Sequence, residues 1–168
     1  RTFAPGECVA IDGANNATVV DCGQPHQMEI TSKVDLAPIF PDGTPTVEDQ
    51  DKYLGDACTE AAHTYLGSEE NLYQISLQPF WTTQQPASWE GGSHSVNCAL
   101  VFSSPNGGFS ELTGSATGGR EALLIDGTPP PERPQRRPLR ENQTPAASSA
   151  PASPAPEAAP EAAPETVQ

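Results

Sequence analysis

Short runs of alternating apolar and polar residues fill the first hundred positions, interrupted once by a longer stretch with helical spacing. Cys8-Val9-Ala10-Ile11 and Thr18-Val19-Val20-Asp21-Cys22 are β-prone runs flanking the turn-rich segment 12–17, a pattern that predicts a hairpin. With Cys8 opposite Cys22, Ala10 falls opposite Val20, and both sulfurs share a sheet face with both apolar side chains. A further strand is expected from His26 to Ile30, carrying His26, Met28 and Ile30 on one face. After the proline-rich connector 38–46, Thr46 is positioned to cap a helix, with Asp49 three residues on at capping-box spacing. Leu54, Cys58, Ala61 and Tyr65 recur at steps of four, three and four, so they gather on one helical face that Val47 extends. Gly67 is the expected stop, because it accepts a left-handed backbone without a side-chain clash.

Tyr73, Ile75 and Leu77 alternate as a strand ending near Pro79, and Val96, Cys98, Leu100 and Phe102 alternate as a central strand. Leu123 to Ile125 is expected to close the sheet beyond a flexible glycine-rich loop at 105–119. These elements make an α+β domain, a small, mainly antiparallel sheet packed against one principal helix.

Composition then divides the chain. Residues 1–127 suffice for one small core, whereas residues 128–168 contain eleven prolines in 41 positions and almost no large apolar side chain. Such a segment has too little to bury to offset the entropy of ordering, so a disordered Pro/Ala-rich tail with local polyproline II character is expected. Of the net charge of −14, all but one unit belongs to the first part, which holds 17 acids against 4 bases. That surface repels phosphate backbones, so no nucleic-acid partner is expected. Arg133, Arg136, Arg137 and Arg140 form the basic cluster of the tail and read as a solvated linker.

All four cysteines, Cys8, Cys22, Cys58 and Cys98, precede the tail, and their even number without a CxxC pair favours disulfides over a thiolate metal site. The hairpin register brings Cys8 to Cys22, and an inner helix face brings Cys58 to Cys98, which is the preferred pairing. Cys8 with Cys98 and Cys22 with Cys58 is the runner-up, since spacing alone does not settle connectivity. Disulfides imply an extracytoplasmic setting. The longest apolar run of the first part, Cys98 to Phe102, is far too short to cross a bilayer, so secretion or membrane attachment is expected to use a segment absent from this chain.

Candidate chemistry is sparse. His26, His63 and His94 each lie near a cysteine in sequence, but five residues on a helix turn side chains about 140° apart. Four residues on a strand separate them by roughly 13 Å. Neither pair converges on one ion, and Cys22 with His26, which flank a loop, supply only two ligands, so no metal and no cofactor is expected. His26 reads as a packed imidazole bonded to backbone or to Glu29, and His63 as exposed. Ser93-His94-Ser95 lacks the geometry of a nucleophilic site, and no G-x-S-x-G elbow is present. Phe80-Trp81 and Trp89 bracket a polar loop; Trp89 is expected in the core and Trp81 partly exposed. If both rings faced outward they would form a peptide or glycan platform. Trp81, Trp89, His26 and His94 are therefore the candidate binding residues, and no catalytic residue is assigned.

GECVAI, VVDCGQPHQMEI, ACTEAAHTYLG and the stretch from Pro86 to Cys98, in that order, resemble the septum-formation domain family of actinobacterial envelope proteins. The resemblance covers roughly residues 6–102 and includes all four cysteines, Pro25-His26 and Trp89. It implies an extracytoplasmic domain, secreted or membrane-anchored, with a role in septum formation or envelope biology. The functional expectation is a noncatalytic interaction domain whose partner is an envelope or division protein or a cell-wall polymer. The alternatives are an envelope hydrolase using His94 or His26, and a structural spacer.

Overall fold

The computed structural model describes residues 1–132 and 138–140. Arg133, Arg136, Arg137 and the sequence from residue 141 onward lie outside the described residues. Among the described residues, the main sheet has six strands: β1 (Cys8–Ile11), β2 (Ala17–Val20), β3 (Met28–Asp35), β4 (Gln78–Trp81), β5 (Ser95–Val101) and β8 (Leu139–Arg140). Their order is β2-β1-β3-β5-β4-β8, antiparallel throughout except for the parallel β4–β8 pair. Helix α1 (Val47–Leu66) lies on one face, so the α+β class expected from the sequence is the one observed.

Thr46 caps α1 by accepting from the Asp49 N–H at 3.0 Å, and Gly67 ends it in the left-handed region. The inner face of α1 is Gln50, Leu54, Cys58 and Ala62; Ala61 and Tyr65 are half-buried beside it. The apolar stripe therefore begins one turn before Leu54 with a polar residue. Gln50 is tolerated because its amide replaces lost water, donating to the Gln84 carbonyl at 3.0 Å and accepting from the Gln84 N–H at 2.8 Å.

The hairpin forms with Cys8 opposite Val20 and Ala10 opposite Thr18, two residues from the expected register. Since a shift of two preserves the face, Cys22 just beyond β2 still reaches Cys8, and the two are bonded with 5.2 Å between Cα atoms. Cys58 and Cys98 form the second disulfide, tying α1 to the central strand β5.

Strand β3 runs five residues past its expected end and carries a bulge between Ile30 and Ser32. The bulge shifts the alternation: Met28 and Ile30 join the cluster on the face away from α1, whereas Val34 packs with Leu54 and Cys58 on the α1 side. Phe3, Val9, Phe80, Val101 and Leu139 complete the far cluster, so the sheet is covered on both faces.

Three expectations are corrected. Tyr73, Ile75 and Leu77 do not form a strand: Ser68 caps a helix α2 (Glu69–Ile75), with Leu72 and Ile75 buried and Tyr73 exposed. Ser68, Leu72 and Ile75 carry the helical spacing that the odd-numbered alternation obscured. Pro79 lies within β4, on an alternation that turns its nitrogen away from β5. Finally, Leu124–Ile125 (β7) pairs with Leu112–Thr113 (β6) in a separate two-stranded sheet rather than closing the main one.

The described part of the segment assigned to the tail packs against the domain. Pro130 is buried, the Ser76 hydroxyl donates to the Pro131 carbonyl at 2.7 Å, and Leu139 is buried beside Phe80. Composition averages over 41 residues and so passed over one leucine with a socket to fill.

Because the Cys58–Cys98 bond closes a 40-residue separation, the chain-entropy relation gives it about 4 kcal/mol, against about 3 for Cys8–Cys22. Replacing both Cys58 and Cys98 with alanine is expected to lower the urea-derived unfolding free energy more than the corresponding Cys8 and Cys22 change.

Candidate functional site

Where α1 passes over β3, a groove of about 500 Å³ opens to solvent. The bulge places both Thr31 and Ser32 on the α1 side with Val34, and small residues on the helix, Ala57 and Ala61, leave the space unfilled. Glu60 and Thr64 form the exposed rim, and Tyr65 closes one end. The Thr31 hydroxyl lies beneath this surface, shut off from solvent and without a partner among the described residues.

Tyr65 is held by a buried carboxylate. Glu29 is fully buried and accepts from the Tyr65 hydroxyl at 2.7 Å, the Ser115 hydroxyl at 2.8 Å and the Ala116 N–H at 2.8 Å. These donors replace the water that a carboxylate loses on burial. They also order the start of a short 3₁₀ turn, Ala116–Gly118, so this part of the glycine-rich loop is anchored rather than free. Gly114 must stay glycine, since a Cβ there would meet the Ala122 carbonyl oxygen at 1.9 Å. Burial, followed by the hydrogen bond and charge of Glu29, raises the Tyr65 hydroxyl above its ordinary value.

The Glu29 carboxylate also lies near the Cys8–Cys22 sulfurs, the three side chains offering ligand atoms within 4.8 Å of one another. Both sulfurs are committed to a disulfide, which removes them as thiolate ligands. No histidine enters this group.

The residues singled out from the sequence do not assemble into one surface. Trp81 is 5% exposed and Trp89 8%, both in the cluster around Cys58 and Cys98, so they do not form an outward platform. Trp81 was expected to be partly exposed. It is buried because its indole N–H finds Asp51 Oδ1 at 2.9 Å, which lets the ring enter the core. The His94 ring packs tilted against Trp89, with centroids 4.3 Å apart, and places Nε2 3.0 Å from the Trp89 carbonyl oxygen. His26 is fully buried with Nδ1 2.8 Å from the Gln24 carbonyl oxygen, and its Nε2 has no partner among the described residues. His63 is half-buried rather than exposed, and its Nε2 is enclosed.

Glu29, Tyr65 and the α1–β3 groove were missed as a site. Tyr65 stood on the inner helix face, but its partner Glu29 is 36 residues away in sequence, and a charged residue between Met28 and Ile30 reads as solvent-facing. A period-two reading of β3 also hides the bulge.

These features define a disulfide-held α+β domain, of a kind that persists in oxidising compartments, with a recessed groove walled by helix and sheet. The chain belongs to the septum-formation family, whose model matches residues 1–98. Two curated relatives, each an uncharacterized membrane protein from a Mycobacterium tuberculosis strain (CDC 1551 / Oshkosh and H37Rv), are 37% identical over 143 residues. The match covers 82% of this chain but 31% of each relative, so the chain spans under a third of the relatives' length. No solved structure matches the chain. Among the described residues, no helix is long and apolar enough to cross a membrane.

Replacing Tyr65 with phenylalanine leaves Glu29 one donor short and is expected to cost about 1–3 kcal/mol in urea unfolding. The effect is pH-dependent. Unfolded chains release this proton from the ordinary value of 10.0 upward, while the folded protein retains it. The contribution is thus complete below pH 10 and declines as pH rises toward the folded value, a component that Tyr65→Phe should lack.

Proposed function

We propose that this chain is a noncatalytic interaction domain on the outer side of the membrane, joined to it through a segment outside this chain. Its partner is an envelope or division protein, and the α1–β3 groove is the surface that meets it. The observation that carries this reading is the groove itself: a concavity floored by small side chains, with one wall anchored to β5 by a disulfide and one end fixed by Tyr65 on Glu29. A recess with a polar rim and small side chains along its walls suits recognition. The competing reading, hydrolysis through His94 or His26, has less support, since both rings lie against main-chain carbonyl oxygens. Membership in the septum-formation family and relatives named as membrane proteins support the envelope setting.

The test replaces the native protein in an actinobacterial host with variants checked for two disulfides and cooperative melting. Ala61→Arg, which fills the groove, is expected to reproduce the septation defect of a deletion, whereas His94→Ala is expected to divide normally. The purified domain should release no soluble fragments from isolated cell wall. Fragment release that His94→Ala or His26→Ala abolishes in a folded protein would establish the hydrolase instead.

A further inference from the structure

The sheet has a gap beside this groove. Strand β1 pairs with β3 only at Glu29 and Met28, with flanking bonds at Ile30. The chain preceding β1 would continue along the edge of β3, but it turns away at Ala4–Glu7. Pro5 and Gly6 occupy the two central positions, Gly6 at φ 91°, with the Glu7 N–H donating to the Ala4 carbonyl at 3.1 Å. Phe3 is then held on the face opposite α1, where its N–H and C=O both bond the Asn97 amide, at 2.7 and 2.8 Å.

The remainder of β3 is therefore an edge. The Leu36 N–H donates to the His94 carbonyl, and with the register Val34↔Val96 and Ser32↔Cys98 this makes the even-numbered residues the ones bonded to β5. Lys33 and Asp35 consequently turn their N–H and C=O groups outward, and no described residue bonds to them. Ser32 and Val34, on either side of Lys33, send their side chains into the groove, whose rim carries the exposed acid Glu60. Among the described residues, Glu60 has no cationic partner.

We propose that this edge is a strand-docking site, occupied by an extended, proline-free segment of a partner protein that adds antiparallel to β3 in line with β1. The partner's backbone would satisfy Lys33 and Asp35, and alternate side chains would enter the groove. A basic side chain is favoured opposite Glu60, on a domain whose first 127 residues hold 17 acids against 4 bases. The chain's own arginine-rich segment is a poor occupant, because its prolines lack the donors and Leu139–Arg140 is already paired at the opposite edge of the sheet. This inference rests on the interaction reading above and specifies its partner.

A suitable probe is the peptide acetyl-Thr-Val-Thr-Arg-Thr-Val-amide, titrated into the isotopically labelled full chain. Binding should slow amide exchange at Lys33 and Asp35 and shift resonances of Ala57, Glu60 and Thr64. Exchanging the peptide's arginine for glutamate should weaken binding by roughly fivefold or more. N-methylation of the peptide nitrogens facing β3 should abolish it without any change to the protein. Lys33→Pro, which spares the β5 ladder because the Lys33 N–H points outward, should also lose the peptide. Absence of binding, or binding indifferent to N-methylation and to Lys33→Pro, would overturn the proposal and leave the bulge and Lys33 as devices that keep the edge unpaired. If Ala61→Arg disrupts septation but Lys33→Pro does not, the groove reading stands and the edge inference fails.

Discussion

The covalent link between Cys58 and Cys98 ties α1 to the centre of the sheet, and the shape of the groove depends on where that helix lies. Cys98 lies on β5, the strand that contacts both β3 and β4, while Cys58 lies mid-helix with Leu54 before it and Ala62 after it. Trp81 and Trp89 pack around the two sulfurs and exclude water from them. A helix free to slide would fill the space over β3 by moving toward it, since Ala57 and Ala61 offer no steric resistance. The crosslink and its tryptophan cover prevent this, so small residues on that flank leave a recess rather than a collapsed seam.

Buried polar groups supply the remaining constraints. Asn97 binds both backbone groups of Phe3 and the Ser32 carbonyl, thereby holding the N-terminal segment away from the β3 edge. Gln50 joins the start of α1 to Gln84, and Gln78 accepts from the backbone and hydroxyl of Ser103. Glu29 gathers Tyr65, Ser115 and Ala116. Each such group is costly if left unpaired, so each favours one arrangement of distant segments over nearby alternatives.

This distinction also explains what the sequence disclosed. Elements specified by local chemistry were legible: the Thr46 cap, the Gly67 stop, the alternation through Val96, Cys98 and Leu100, and the hairpin face that brings Cys8 to Cys22. The helix Glu69–Ile75 was misread because Tyr73, Ile75 and Leu77 alternate while Leu72 and Ile75 keep helical spacing, and only burial decides between the periods. The bulge at Thr31 depends on how β5 pairs across from it, which no local pattern encodes. The groove was hidden for the same reason. Its walls come from residues 31–34 and 57–65, and it is shaped by a carboxylate whose donors lie 36 to 87 residues away. The Pro5-Gly6 turn that vacates the edge was legible in principle, as a proline followed by glycine.

The proposed contact between this chain and its partner lies at the α1–β3 groove and not elsewhere on the surface. Its most direct test is site-specific photocrosslinking in dividing actinobacterial cells, with the reactive group placed at Thr64 on the groove rim or at the exposed Tyr73 of α2. A discrete adduct from Thr64 and none from Tyr73 is the expected result. Adducts from Tyr73 alone, or equally from both positions, would contradict the assignment of the groove as the interaction surface.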